Sequence, residues 1–129
     1  MSVRMIWPWL ILLSCLSDSA FGVGRNIRFE HLSTDDGMSH ASVMDILQDH
    51  HGFMWFATQE GLNRFDGYDI ETYEHDYRDR ASLADDWVWS LCLDDDNNLW
   101  VGTNNGGLNY FDQNTKTFLN WPYDATDQH

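Results

Sequence analysis

Positive charge is scarce in this chain: seven Lys and Arg stand against 21 Asp and Glu, for a formal net charge of −14. That excludes a nucleic-acid role, which depends on basic side chains neutralising phosphates, and it disfavours direct electrostatic docking on anionic lipid. Solubility is the plainer consequence of such a charge. Cysteine is as rare, with Cys15 and Cys92 alone, and proline occurs only at Pro8 and Pro122. No apolar run approaches the roughly 20 residues that a membrane-spanning helix needs.

The longest apolar stretch, Met5 to Leu16, follows Arg4 and precedes Ala20-Phe21-Gly22, a small-x-small order. This is the pattern of an export signal over residues 1–22, cleaved near Gly22. Cleavage removes Arg4 and Asp18 together, so the net charge stays at −14. It also leaves Cys92 alone, and an intrachain disulfide is then impossible even in an oxidising compartment. Cys92 lies within Val88-Trp89-Ser90-Leu91-Cys92-Leu93 and is expected as a small buried hydrophobe.

What the sequence does have is a repeat of about 45 residues, a period typical of stacked or radially arranged units. Met54-Trp55-Phe56-Ala57-Thr58 through Gly61-Leu62 to Asp66 returns as Leu99-Trp100-Val101-Gly102-Thr103 through Gly107-Leu108 to Asp112. Backward, Val43 pairs with Val88, Ile46 with Leu91 and Asp49 with Asp94; forward, Thr72 pairs with Thr117 and Tyr73 with Phe118. Each unit divides into four short β segments. Segment A is 42–47 and 87–93, segment B is 53–58 and 99–103, C starts at Gly61 and Gly107, and D centres on Tyr73 and Phe118. The turns between them, such as His50-His51-Gly52 and Asp94 to Asn98, favour tight reversal.

Segments this short, with gaps too short for crossover helices, imply antiparallel meanders. A four-stranded unit of this length with a tryptophan motif describes a β-propeller blade. Period-two alternation places Trp55 with Ala57, and Trp100 with Gly102, on one face, a large ring beside a minimal residue. Trp100 is expected to be a buried ring in an assembled propeller. The fold expected is all-β: two four-stranded antiparallel blades of an incomplete propeller, preceded by an orphan outer strand at Arg28 to Leu32. The divisions are a lead-in over 23–40, blade 1 over 41–76, blade 2 over 77–121 and a link over 122–129 toward a further blade.

These residues resemble the two-component regulator propeller repeat. Ser42-Val43, Ile46, Asp49, Gly52, Trp55, Thr58, Gly61-Leu62 and Asp66 fit one repeat; Val88, Leu91, Asp94, Leu99-Trp100, Gly102-Thr103, Gly107-Leu108 and Asp112 fit the next. Ala57 departs from the family's glycine, Asn97-Asn98 replaces a turn glycine, and Gly106 is a one-residue insertion. The resemblance implies the N-terminal part of an exported sensor propeller, as found in histidine kinases, hybrid regulators and diguanylate cyclases. Its location would be periplasmic, or the extracytoplasmic face of the inner membrane. Any kinase or cyclase activity would lie in a region outside these residues. The alternatives are a propeller-type polysaccharide-active enzyme and a self-assembling exported binding module.

By the same resemblance, ligands gather where the D–A and B–C loops meet, which nominates Asp85, Asp86, Trp87, Asn104 and Asn105. Aromatics flanked by amides suit a carbohydrate. No cofactor and no catalytic residue are expected. No metal is expected either: His50 and His51 are adjacent on a turn and lack zinc-ligand spacing, and Asp94-x-Asp96-x-Asn98 lacks the glycine and glutamate of a calcium loop. Remaining partners would be missing propeller blades or further copies of the chain.

Overall fold

The computed structural model describes residues 28–123; the expected export signal lies outside them. Two antiparallel four-stranded sheets form, each a simple meander. Blade 1 contains β1 (Val43–Gln48), β2 (Met54–Thr58), β3 (Gly61–Phe65) and β4 (Ile70–Tyr73). Blade 2 contains β5 (Val88–Leu93), β6 (Leu99–Thr103), β7 (Leu108–Asp112) and β8 (Thr117–Trp121). A short 3-10 turn, Thr34–Asp36, precedes them.

The turns close as their residues dictate. Asp49 Oδ1 accepts the backbone N–H groups of His51 and Phe53 at 2.9 and 3.1 Å, and Oδ2 accepts the indole N–H of Trp55 at 2.9 Å. Asp94 repeats this with the amides of Asp96 and Asn98 and with the indole of Trp100 at 3.1 Å. One carboxylate thus shapes the A–B turn and anchors the tryptophan of the next strand. Gly52 sits at φ 90° and its counterpart Asn97 at φ 65°, so asparagine supplies the left-handed geometry in place of glycine. Across the B–C turns, Thr58 Oγ1 donates to the Gly61 carbonyl at 2.8 Å and Thr103 Oγ1 to the Gly107 carbonyl at 3.0 Å.

The blades pack face to face, and the core lies between them. Trp55, Ala57 and Leu62 of blade 1 meet Leu91, Val101, Phe111 and Phe118 of blade 2, with Leu83 of the connection also buried. Trp55 stands edge-on to Phe111 at 5.2 Å, and Tyr73 meets Phe111 at 4.9 Å. Polar contacts fix the register between blades: Asp45 Oδ2 accepts the Leu91 amide at 2.8 Å, and the Asp86 carbonyl accepts the Gly61 amide at 2.7 Å. At the outer rim, Glu71 bridges Arg64 at 2.9 Å and Lys116 at 2.6 Å. Burial alone would raise the Glu71 carboxyl; Lys116, the Tyr73 hydroxyl and Arg64 together outweigh it and hold the group below its ordinary value.

Three sequence-level expectations are corrected. Tyr73 is the counterpart of Trp121, not of Phe118. Leu62 pairs with Tyr73 as Leu108 pairs with Trp121, while Phe65 pairs with Ile70 as Phe111 pairs with Phe118. The longer C–D turn of blade 2 absorbs the extra residues. Trp100, whose burial is expected in an assembled propeller, is half-buried here while its counterpart Trp55 is fully buried, because among the described residues only the latter has a sheet across its face. Cys92 shares the face of Trp100 and is exposed for the same reason. Finally, residues 28–33 form no strand and Phe29 is exposed; no neighbouring strand lies beside them among the described residues to complete a ladder.

Candidate functional site

Of the nominated residues, the structure brings Asp85, Trp87, Asn104 and Asn105 together where the D–A connection meets the B–C turn of blade 2. Asp85 Oδ2 accepts the Asn105 amide at 2.7 Å, and Asn104 donates its amide to the Trp87 carbonyl at 2.9 Å. Asp86 turns toward blade 1: its Oδ1 accepts the His75 amide at 2.6 Å, and its carbonyl is held by Gly61. It is a strut between blades.

Trp89 is the residue that sequence reasoning left out of the site. Its indole stacks on that of Trp87, with centroids 5.6 Å apart and planes 19° apart. The indole N–H donates to Asn104 Oδ1 at 3.1 Å. A shift in register between Val88 and Ser90 marks a bulge at Trp89, and bulges re-aim side chains. Despite their size, Trp87 and Trp89 remain 38% and 49% exposed. Together they make a flat aromatic shelf with one edge pinned by an amide. A sequence signal existed: Trp87-Val88-Trp89 places two aromatics two residues apart at the entry to an inner strand.

Blade 1 has the same bulge, between Val43 and Asp45, yet carries Ser42 and Met44 at the matching positions. The backbone therefore forms without tryptophan at either place. Both tryptophans are departures from the repeat that packing does not require. By contrast Trp55 and Trp100 each bond a turn aspartate, and Thr58 and Thr103 bond the carbonyls of Gly61 and Gly107, so these features recur; Leu62 is buried, whereas its counterpart Leu108 is 44% exposed. A groove of about 560 Å³ opens elsewhere, between the D–A connection and β8, lined by residues such as His75, Tyr77, Phe118 and Asn120. None of the nominated residues lines it. Among the described residues no cluster of His, Cys, Asp and Glu could hold a metal ion.

Meandering four-stranded sheets packed face to face on a repeated tryptophan motif define consecutive blades of a β-propeller. Residues 37–60 and 82–105 match the family described as two component regulator propeller. The two matches begin 45 residues apart, one on each blade. It is 38% identical over 75 residues to histidine kinase P4 of Formosa agariphila, a match covering 58% of this chain and 6% of the kinase. The extracellular domain of a protein described as a hybrid two component system from B. thetaiotaomicron superposes with TM-score 0.68 at 33% identity, covering 76% of this chain and 14% of that one. A second extracellular domain from that organism, described as belonging to a one component system, superposes with TM-score 0.55 at 26% identity over 67% of this chain and 12% of its own. The chain therefore spans a small part of the proteins it matches.

Proposed function

We propose that this chain is part of an extracytoplasmic sensor propeller of a signal-transduction protein, exported to the periplasm or the outer face of the inner membrane. In this reading the segment binds and does not catalyse. Kinase or cyclase output belongs to other parts of the polypeptide. The solved extracellular domains and the histidine kinase that share its blades support the reading. A polysaccharide-cleaving propeller is disfavoured because strand β5, closest to the shelf, presents Val88, Trp89, Leu91 and Leu93 and no acid–base pair.

The ligand proposed is a neutral carbohydrate stacked on Trp87 and Trp89 and hydrogen-bonded by Asn104 and Asn105. The observation that carries it is the break in repeat symmetry: two half-exposed, mutually stacked tryptophans where blade 1 has Ser42 and Met44. Aromatic faces stack on the apolar faces of sugar rings while flanking amides bond hydroxyls. With Asp85 beside the shelf and a net charge of −14, the field repels uronates and sulfated sugars. Tryptophan fluorescence of the intact protein, titrated with neutral glucan, mannan and galactan oligosaccharides, tests this. At least one should quench or shift the emission, with the response lost in Trp89→Ala; polygalacturonate should give none. Binding that survives both Trp87→Ala and Trp89→Ala would overturn the site.

A further inference from the structure

The B–C turn of blade 2 reads Thr103-Asn104-Asn105-Gly106-Gly107, and it contains the chain's single Asn-Gly pair. Asn105 is exposed. Its backbone N–H is held by Asp85 Oδ2 at 2.7 Å, but its carboxamide has no hydrogen-bond partner among the described residues, and neither has the Gly106 amide. Asn114 has an exposed, unpaired carboxamide as well among the described residues, but it is followed by Thr115; the asparagines of the neighbouring turns differ further. Asn104 Oδ1 holds the Trp89 indole, Asn97 Oδ1 accepts the His50 amide, and Asn98 bonds both Asp94 and Tyr110. None of these is followed by glycine.

From this placement we propose that Asn105 is a site of spontaneous deamidation that rewrites the loop beside the aromatic shelf. The Gly106 nitrogen, losing its proton to solvent, attacks Asn105 Cγ. A C–N bond forms, the carboxamide nitrogen leaves as ammonia, and a succinimide closes. Water then opens the ring at either carbonyl, giving aspartate or isoaspartate. Glycine is the residue that permits this attack, because no Cβ shields its nitrogen and its backbone moves most freely. Either product places a new carboxylate on the turn that Asp85 already holds. Isoaspartate also lengthens the backbone by one carbon, in a turn with little slack. A Cβ added at Gly106 would lie 2.7 Å from Ala84 Cβ, so the turn and the D–A connection are in close contact. Lengthening should loosen Asn104 from the Trp87 carbonyl and the Trp89 indole. The modification would thus lower both the rigidity of the shelf and its tolerance of any negatively charged ligand.

The test is to incubate the purified protein in buffers from mildly acidic to mildly alkaline and analyse the tryptic peptide that follows Arg80 and ends at Lys116. The expected result is a gain of about 1 Da located at Asn105 ahead of every other asparagine. It should be faster in alkaline buffer, with isoaspartate detected by isoaspartyl methyltransferase labelling. Asn105→Gln should abolish the gain in this peptide, and Asn104→Gln should not. The proposal is overturned if Asn105 keeps its amide, or if Asn97, Asn104 or Asn114 loses its amide first. It is overturned equally if the reaction proceeds in urea-unfolded protein and is absent from the folded one, since the fold would then protect the site.

Discussion

Asp49 and Asp94 each hold a turn and a tryptophan at once, and that double duty sets the residue-level energetics. Trp55 is fully buried, edge-on to Phe111 and bonded to Asp49. Removing a buried ring of this kind costs about 3–5 kcal/mol. Trp55→Ala should therefore lower the denaturation midpoint far more than Trp100→Ala, because Trp100 is half-buried in this chain. Equal shifts would contradict the packing described. Asp94 adds a pH dependence. Hydrogen bonds from the side chain and backbone of Asn98, then from Trp100, hold its carboxyl below the ordinary value. A carboxyl depressed on folding contributes stability above its unfolded pKa, and that contribution fades as pH falls through the folded value. Stability curves of Asp94→Asn should accordingly be flatter than those of the parent below the usual carboxylate range, and lower at neutral pH. An acid limb of unchanged slope would remove Asp94 from this role. The aspartate–tryptophan bond was legible in principle, since Asp49 precedes Trp55 as Asp94 precedes Trp100. Sequence alone does not say that a turn carboxylate reaches forward to an indole.

At the level of elements, strand existence and order were readable because apolar segments alternate with strong turn residues. The limits came from insertions and from faces. Aligning Tyr73 with Phe118 matched two aromatics by spacing, whereas the ladder matches Tyr73 with Trp121; Trp55 stacks on Tyr73 and Trp100 lies tilted against Trp121, in keeping with that pairing. Turn length is what a spacing argument cannot see when two residues of similar character stand a few positions apart. Glycines allow a sharper test of the turns. Gly61 has φ 125° and an added Cβ would lie 2.7 Å from the Tyr73 carbonyl oxygen; Gly67 has φ 102° and open space around it. Both replacements carry the left-handed strain of about 1–3 kcal/mol, but only Gly61→Ala also forces the B–C turn away from β4. Gly61→Ala should be clearly the more destabilising in urea titration, and parity between the two would mean that the turn moves freely. The site was partly legible for a similar reason. Loop residues around Asp85 and Asn105 could be grouped from their place in a blade, but the outward aim of Trp89 depends on a bulge, which leaves no mark in a hydrophobic pattern.

For the molecule as a whole, the two blades have unequal environments. The Trp55 face of blade 1 is closed by Leu91, Val101, Phe111 and Phe118. The equivalent face of blade 2 presents Trp100, Leu108, Leu119 and Trp121, the last three 44%, 57% and 49% exposed. An apolar sheet face of this breadth marks an interaction surface or an aggregation hazard, and a propeller ordinarily closes such faces with neighbouring blades, 4–8 of them in all. Blade 1 shows what chemistry closes it: a sheet presenting aliphatic residues on its inner strands and phenylalanines on its outer ones. Blade 1's own far side offers Ile46 and Met54 with Phe56 and Phe65, a set of the same kind and a surface that another copy can present. The chain studied by itself should therefore associate in a concentration-dependent way, through the face of blade 2. Replacing Leu119 and Trp121 with glutamate puts charge on that face without touching the buried core, and should shift the chain toward monomer in analytical ultracentrifugation. Charge elsewhere gives the control, since the parent already carries −14 and general repulsion alone would have kept it apart. A parent chain that stays monomeric at every concentration and unfolds cooperatively would show that two blades suffice without a neighbour, and the inference from the open face would fail.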